Sequence, residues 1–137
     1  MAQFYLLSVV FNILAAMTLA GDYFAQRVPL LSSAARLRDS RSANIVVGAA
    51  AALTGLVKLV VLAPGETVVI AGDLLPAATG MVMGGALLLG VFRRHAQSAD
   101  APLPGITRAI ATYRVPLAFV GLGVALVHFL VPGAPLL

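Results

Sequence analysis

Cysteine is absent from the 137 residues, which excludes disulfides, thiol nucleophiles, iron–sulfur ligation and any redox mechanism that needs a pair of thiols. Charge is scarce as well: Asp, Glu, Lys and Arg make up 10% of the chain against 61% hydrophobic residues, which places it outside the soluble globular range and makes lipid the expected solvent. Only 5 residues are acidic, and none falls at the centre of an apolar run, where proton- and cation-coupled carriers place a carboxylate. Signatures of catalysis are missing too: there is no Gly-x-Ser-x-Gly, no His-Glu-x-x-His, no Gly-rich phosphate loop and no pair of carboxylates in one layer. No enzyme is expected. The 2 histidines, His95 beside Arg93-Arg94 and His128 near the end of the last apolar run, belong to opposite sides of a membrane, so neither a metal centre nor another cofactor is expected.

What the chain does have is four apolar windows near the length of about 20 residues that a membrane-crossing helix requires: 4–24, 43–62, 74–92 and 115–131. The expected fold is an all-α integral membrane protein, one four-helix domain over 1–137. Of 9 basic residues, Arg27, Arg36, Arg38 and Arg41 fall in the loop 25–42, and Arg93, Arg94, Arg108 and Arg114 in the loop 93–114. The middle connection, 63–73, has no Lys or Arg. Short cytoplasmic loops retain basic residues, so both arginine-bearing loops are expected inside and both termini outside, with these arginines as candidate contacts to the anionic inner leaflet. No basic residue precedes the first run, which is therefore expected to be a retained span rather than a cleaved signal. The segments 32–38 and 106–114 mix apolar and basic residues and are expected as short helices on the inner leaflet. The sequence pI of 10.4 reflects this topology, so nucleic acid is not an expected partner. High Ala, Gly, Val and Arg usage with a single lysine is consistent with a GC-rich bacterial genome, and a bacterial inner membrane is the expected location.

The halves show some likeness. At a spacing of 68 residues, Leu6, Leu7, Leu19 and Phe24 fall on Leu74, Leu75, Leu87 and Phe92, and Leu56-Val57-Lys58-Leu59 is similar to Leu126-Val127-His128-Phe129. Two tandem hairpins forming a parallel repeat would produce this, although Leu- and Val-rich helices match by chance as well. Helices in lipid associate through small residues that let backbones approach. Gly48 and Gly55, Gly80 and Gly84, and Gly121 are the expected packing positions, within the bundle or against a second copy. The first window, with Phe4, Tyr5, Phe11 and Phe24, is expected at the periphery.

Polar residues near lipid carry the remaining information. Lys58, Glu66, Asp73 and His128 gather near the outer boundary as a candidate polar cluster. Asp73, followed by Leu74-Leu75-Pro76, reads as a helix N-cap and as a partner for Lys58, with Glu66 its rival. Asp22 is expected beside Arg27, while Asn12 and Thr79 can serve as interhelical hydrogen-bond formers. Four helices in under 140 residues invite comparison with small multidrug transporters and small fluoride channels. However, the buried glutamate of the former and the Gly-rich, Arg-containing signature of the latter are missing. Three roles follow as expectations: an accessory or scaffolding subunit acting as a homo-oligomer or within a larger membrane complex; a homo-oligomeric small transporter or channel with an outer vestibule; or a protein that engages anionic lipid.

Overall fold

The computed structural model describes residues 2–60, 69–96 and 105–131. In chain order the elements are α1 (Ala2–Leu19), α2 (Gly21–Arg27), a 3-10 turn (Pro29–Leu31), α3 (Ser32–Asp39), α4 (Arg41–Val60), α5 (Val69–Ala96) and α6 (Gly105–Leu130). Three helices are long and apolar enough to cross a membrane, over Arg41–Val60, Leu74–Arg94 and Arg108–Leu130, and α1 with α2 forms a fourth candidate bent by 79° at its break. Val46, Leu53 and Val60 of α4 and Val120, Leu126 and Leu130 of α6 point outward. Such apolar surface suits lipid and would drive aggregation in water.

Side-chain contacts fix the helix directions. Asn12 of α1 lies against Pro76 and Gly80 of α5, Tyr5 meets His128 at the far end of α6, and Gly48 and Gly55 of α4 face Gly84 and Ala77 of α5. The order is therefore up-down-up-down, with α1 parallel to α5 and antiparallel to α4 and α6. The closest pair is α4 with α5, joined by backbone approach. A Cβ on Gly84 would stand 2.5 Å from the Gly48 carbonyl oxygen and 2.7 Å from the Ala52 nitrogen, and one on Gly55 would stand 2.5 Å from the Ala77 carbonyl oxygen. Real side chains do not fit there, so these positions hold the two backbones at a separation only glycine permits. Gly80 stands against Ala51 and Asn12, and on α6 the space a Cβ would need at Gly121 holds the fully buried Met83 thioether.

Several sequence expectations change. The first window is not one helix: α1 ends at Leu19, and Ala20 leaves helical geometry at φ −111° and ψ 27°. The chain then turns because Gly21 lets α2 settle on α3, where a Cβ would collide with the Ala34 carbonyl group. The loop 25–42 is thus mostly helix, and its segment Ser32–Asp39 forms α3. The other stretch expected as a surface helix, 106–114, is the beginning of α6 instead. Asp73 is not an N-cap, since α5 starts at Val69 and carries Pro76 inside it. Helix α1 is not peripheral but packs on α4, α5 and α6. It does so through Ser8, Asn12, Ala15, Ala16, Thr18 and Leu19, all buried, whereas its aromatic residues had suggested a lipid face. The halves differ at one matched position. Leu19 ends α1 at the bend, while its counterpart Leu87 lies in the middle of an unbroken α5.

The glycine contacts make a specific prediction. Gly84→Leu destabilises the solubilised protein by about 1–3 kcal/mol through overpacking, whereas Gly85→Leu, at a position with nothing within 4 Å, leaves stability unchanged or slightly raised by helix propensity. Thermal denaturation of both variants checks this, and equal melting temperatures would contradict the packing assignment.

Candidate functional site

The bend creates a polar problem that the fold answers with arginine. Ending α1 at Leu19 leaves carbonyls without helical donors, and the Arg38 guanidinium, carried in on α3, donates from Nη1 to the Leu19 oxygen at 3.0 Å. The same side chain reaches Asp22 through Nε at 2.7 Å, and Arg114 of α6 donates to the same carboxylate oxygen at 3.2 Å. Asp22 is thus shared by two arginines from different helices. Arg27, its expected partner, instead lies over the Tyr23 ring, 3.9 Å from its centroid. Tyr23, Phe24 and Phe119 pack with ring centroids 5.5–5.9 Å apart, fastening α2 to α6.

The α3–α4 junction holds Arg38 in place. Ser40 Oγ accepts from the Ala43 nitrogen at 3.2 Å, capping α4. The buried Asn44 amide donates to the Leu37, Arg38 and Ser40 carbonyls at 3.2, 2.7 and 2.6 Å, which secures the end of α3.

Beside this node lies a cleft of about 480 Å³. Its polar lining is Thr18, Arg38, Asn44, Arg93, Arg94 and Arg114, and its walls include Leu87 and Ile110. Among the described residues the lining holds four guanidiniums and no carboxylate. Arg94 Nη2 stands 3.5 Å from the Arg38 carbonyl. The Arg93 Nε is buried and has no hydrogen-bond partner among the described residues. Chemically, the cleft offers planar cationic forks suited to a carboxylate or phosphate.

At the opposite end, Lys58 Nζ stands 3.4 Å from His128 Nε2. Tyr5 completes the group: its ring centroid is 4.7 Å from that of His128, its hydroxyl donates to the His128 carbonyl at 2.5 Å, and Lys58 Nζ lies 5.9 Å from the Tyr5 centroid. The structure thus brings Lys58 and His128 together. Glu66 and the Asp73 side chain, including the expected Lys58–Asp73 pair, lie outside the described residues. Sequence reasoning missed Tyr5, Asn44 and the role of Arg38. For Tyr5 a signal existed: Tyr5, Ser8, Asn12 and Ala15–Ala16 recur at helical spacing and mark a packed face. The remaining arginines Arg36, Arg41 and Arg108 are exposed at the same end as the cleft.

If Asp22 and Arg38 act as one unit, a double-mutant cycle with Asp22→Asn and Arg38→Gln shows a coupling of about 0.5–1.5 kcal/mol in unfolding free energy. Additive losses would show that the two contacts are independent.

The model of a family whose function is uncharacterised matches residues 1–128, and the chain belongs to that family. No curated protein and no solved structure matches it.

Proposed function

We propose that this family member crosses the bilayer four times, with both termini outside, and that its arginine-bearing end engages anionic lipid headgroups at the cytoplasmic face. The observation that carries this reading is the segregation of cations. Arg27, Arg36, Arg38, Arg41, Arg93, Arg94, Arg108 and Arg114 all belong to one end of the bundle, as the retention of basic residues inside demands. With 18 residues, α1 rises about 27 Å, close to the hydrocarbon thickness of about 30 Å, so it suffices as a span before the bend. The short α2 and α3 then lie across the arginine end at headgroup depth, where a Lys or Arg near an anionic surface contributes about 1 kcal/mol.

The other readings keep less support. An accessory subunit or homo-oligomer drew on small-residue faces, and Gly48, Gly55, Gly80, Gly84 and Gly121 are filled by the chain's own helices. A transporter with an outer vestibule drew on Lys58, Asp73 and His128, but beneath Lys58 and His128 the residues Asn12, Ala77 and Met83 are packed to exposures of 2% or less.

Two measurements test the proposal. Because the chain has no native cysteine, Ser33→Cys introduces a single thiol on the exposed start of α3. An impermeant maleimide added to intact cells leaves it unlabelled until the membrane is opened; labelling of intact cells would invert the topology. In reconstituted vesicles, replacing part of the phosphatidylcholine by phosphatidylglycerol raises the melting temperature, and salt weakens the gain by screening. Identical melting in neutral and anionic vesicles would remove the lipid reading.

A further inference from the structure

We infer that the cleft between α1, α5 and α6 is a discrete binding site for a phosphate group, most fittingly that of an amphiphile whose chain leaves between α5 and α6. This inference deepens the headgroup reading above and rests on it, since scattered surface arginines and a built pocket predict different behaviour.

Three observations converge on the pocket. First, Arg38, Arg93, Arg94 and Arg114 come from three helices, α3, α5 and α6, yet line one space of about 480 Å³. Asp22 satisfies Arg38 and Arg114 from one side, which leaves Arg93 and Arg94 as the pair not engaged with that carboxylate. Second, the Arg93 Nε–H is buried without an acceptor among the described residues. A buried donor left unmade is costly, and because Arg93 lines the cleft, a rotation of its side chain that brings the guanidinium onto a phosphate oxygen there would relieve it. Third, the cleft is amphipathic. Thr18, Asn44 and the guanidiniums supply the polar floor, while Leu87 and Ile110 supply apolar walls. Leu89 and Ala111 line the cleft and are exposed, so an acyl chain can pass from its polar end into the surrounding hydrocarbon. A guanidinium fork matches a phosphate monoester better than a zwitterionic headgroup, because two parallel N–H donors meet two anionic oxygens with no ammonium to repel them.

The experiment uses the full chain in neutral detergent, with phosphatidic acid, phosphatidylcholine and inorganic phosphate as probes. Melting temperature and bound mass in native mass spectrometry are the readouts. Phosphatidic acid raises the melting temperature and binds at one per chain, and phosphatidylcholine does neither. Arg93→Gln and Arg94→Gln weaken phosphatidic acid binding roughly ten- to hundredfold, the loss of a hydrogen bond to a charged group. Arg36→Gln and Arg108→Gln, exposed and outside the cleft, lose no more than the roughly fivefold that one surface cation contributes. Should Arg93→Gln fail to fold, Arg93→Lys keeps the charge without the fork and still weakens binding. Stabilisation by inorganic phosphate at a similar free concentration assigns the site to a soluble phosphate rather than a lipid, with the phosphate chemistry upheld. Equal losses in the cleft and control variants overturn the pocket and leave only surface attraction. No response to phosphatidic acid in any protein, together with identical melting in neutral and anionic vesicles, overturns the pocket and the headgroup reading alike.

Discussion

Close backbone approach between α4 and α5 is the constraint on which the rest of this bundle depends. Hydrocarbon solvates leucine as well as another leucine does, so helices in lipid gain little by hiding apolar side chains and must gain instead from contact distance. Gly84 against the Gly48 carbonyl and Gly55 against the Ala77 carbonyl set that distance. Once α4 and α5 are locked, α1 has a groove to occupy, and it fills the groove with alanines, Ser8 and Asn12 rather than with its aromatics. The Asn12 amide, donating to the Pro76 carbonyl at 3.0 Å, adds a directional bond to a contact otherwise made of small surfaces. Met83, seated against Gly121, fixes how α6 meets α5.

A second constraint acts at the arginine end, where backbone groups freed by a helix break must find donors. The bend at Ala20 exposes the Leu19 carbonyl, and Arg38 serves it together with Asp22. One guanidinium thereby meets a neutral and a charged acceptor at once. Because Arg114 also reaches Asp22, the node joins α2, α3 and α6. The cleft beside it takes Arg38 from α3 and the rest of its lining from α1, α4, α5 and α6.

Much of this was legible in the sequence, and what was not has physical reasons. Four apolar runs, the segregation of arginine and the glycine positions follow from composition and spacing, because lipid imposes them on any chain. The bend did not, since residues 4–24 read as one mostly apolar window and the turn depends on Gly21 meeting Ala34, a contact between segments. For the same reason Asp22 was assigned to its sequence neighbour Arg27, whereas the 79° turn carries it to Arg38 and Arg114. Asp73 followed by proline two residues after Leu74 looks like a helix start, yet a proline can sit inside a helix when neighbouring groups serve the freed carbonyls. The carbonyl that Pro76 leaves without its helical donor is that of Gly72, one turn earlier, inside α5. At the end away from the arginines, Lys58 and His128 share a depth that the sequence shows, but their junction through Tyr5 needed α1 to be central.

The reach from Leu19 to Arg38 spans 19 residues of sequence, and this sets an order of events during synthesis. The hydrogen bond that satisfies the bend cannot form before Arg38 has emerged, nor can the full Asp22 node before Arg114, which follows 92 residues after Asp22. Until then 4–24 stands as the single, mostly apolar window that its sequence spells. The kink itself can close once α3 is made, since Ala34 and Arg38 both lie there, and only the second arginine of the Asp22 node arrives after most of the bundle has been synthesised.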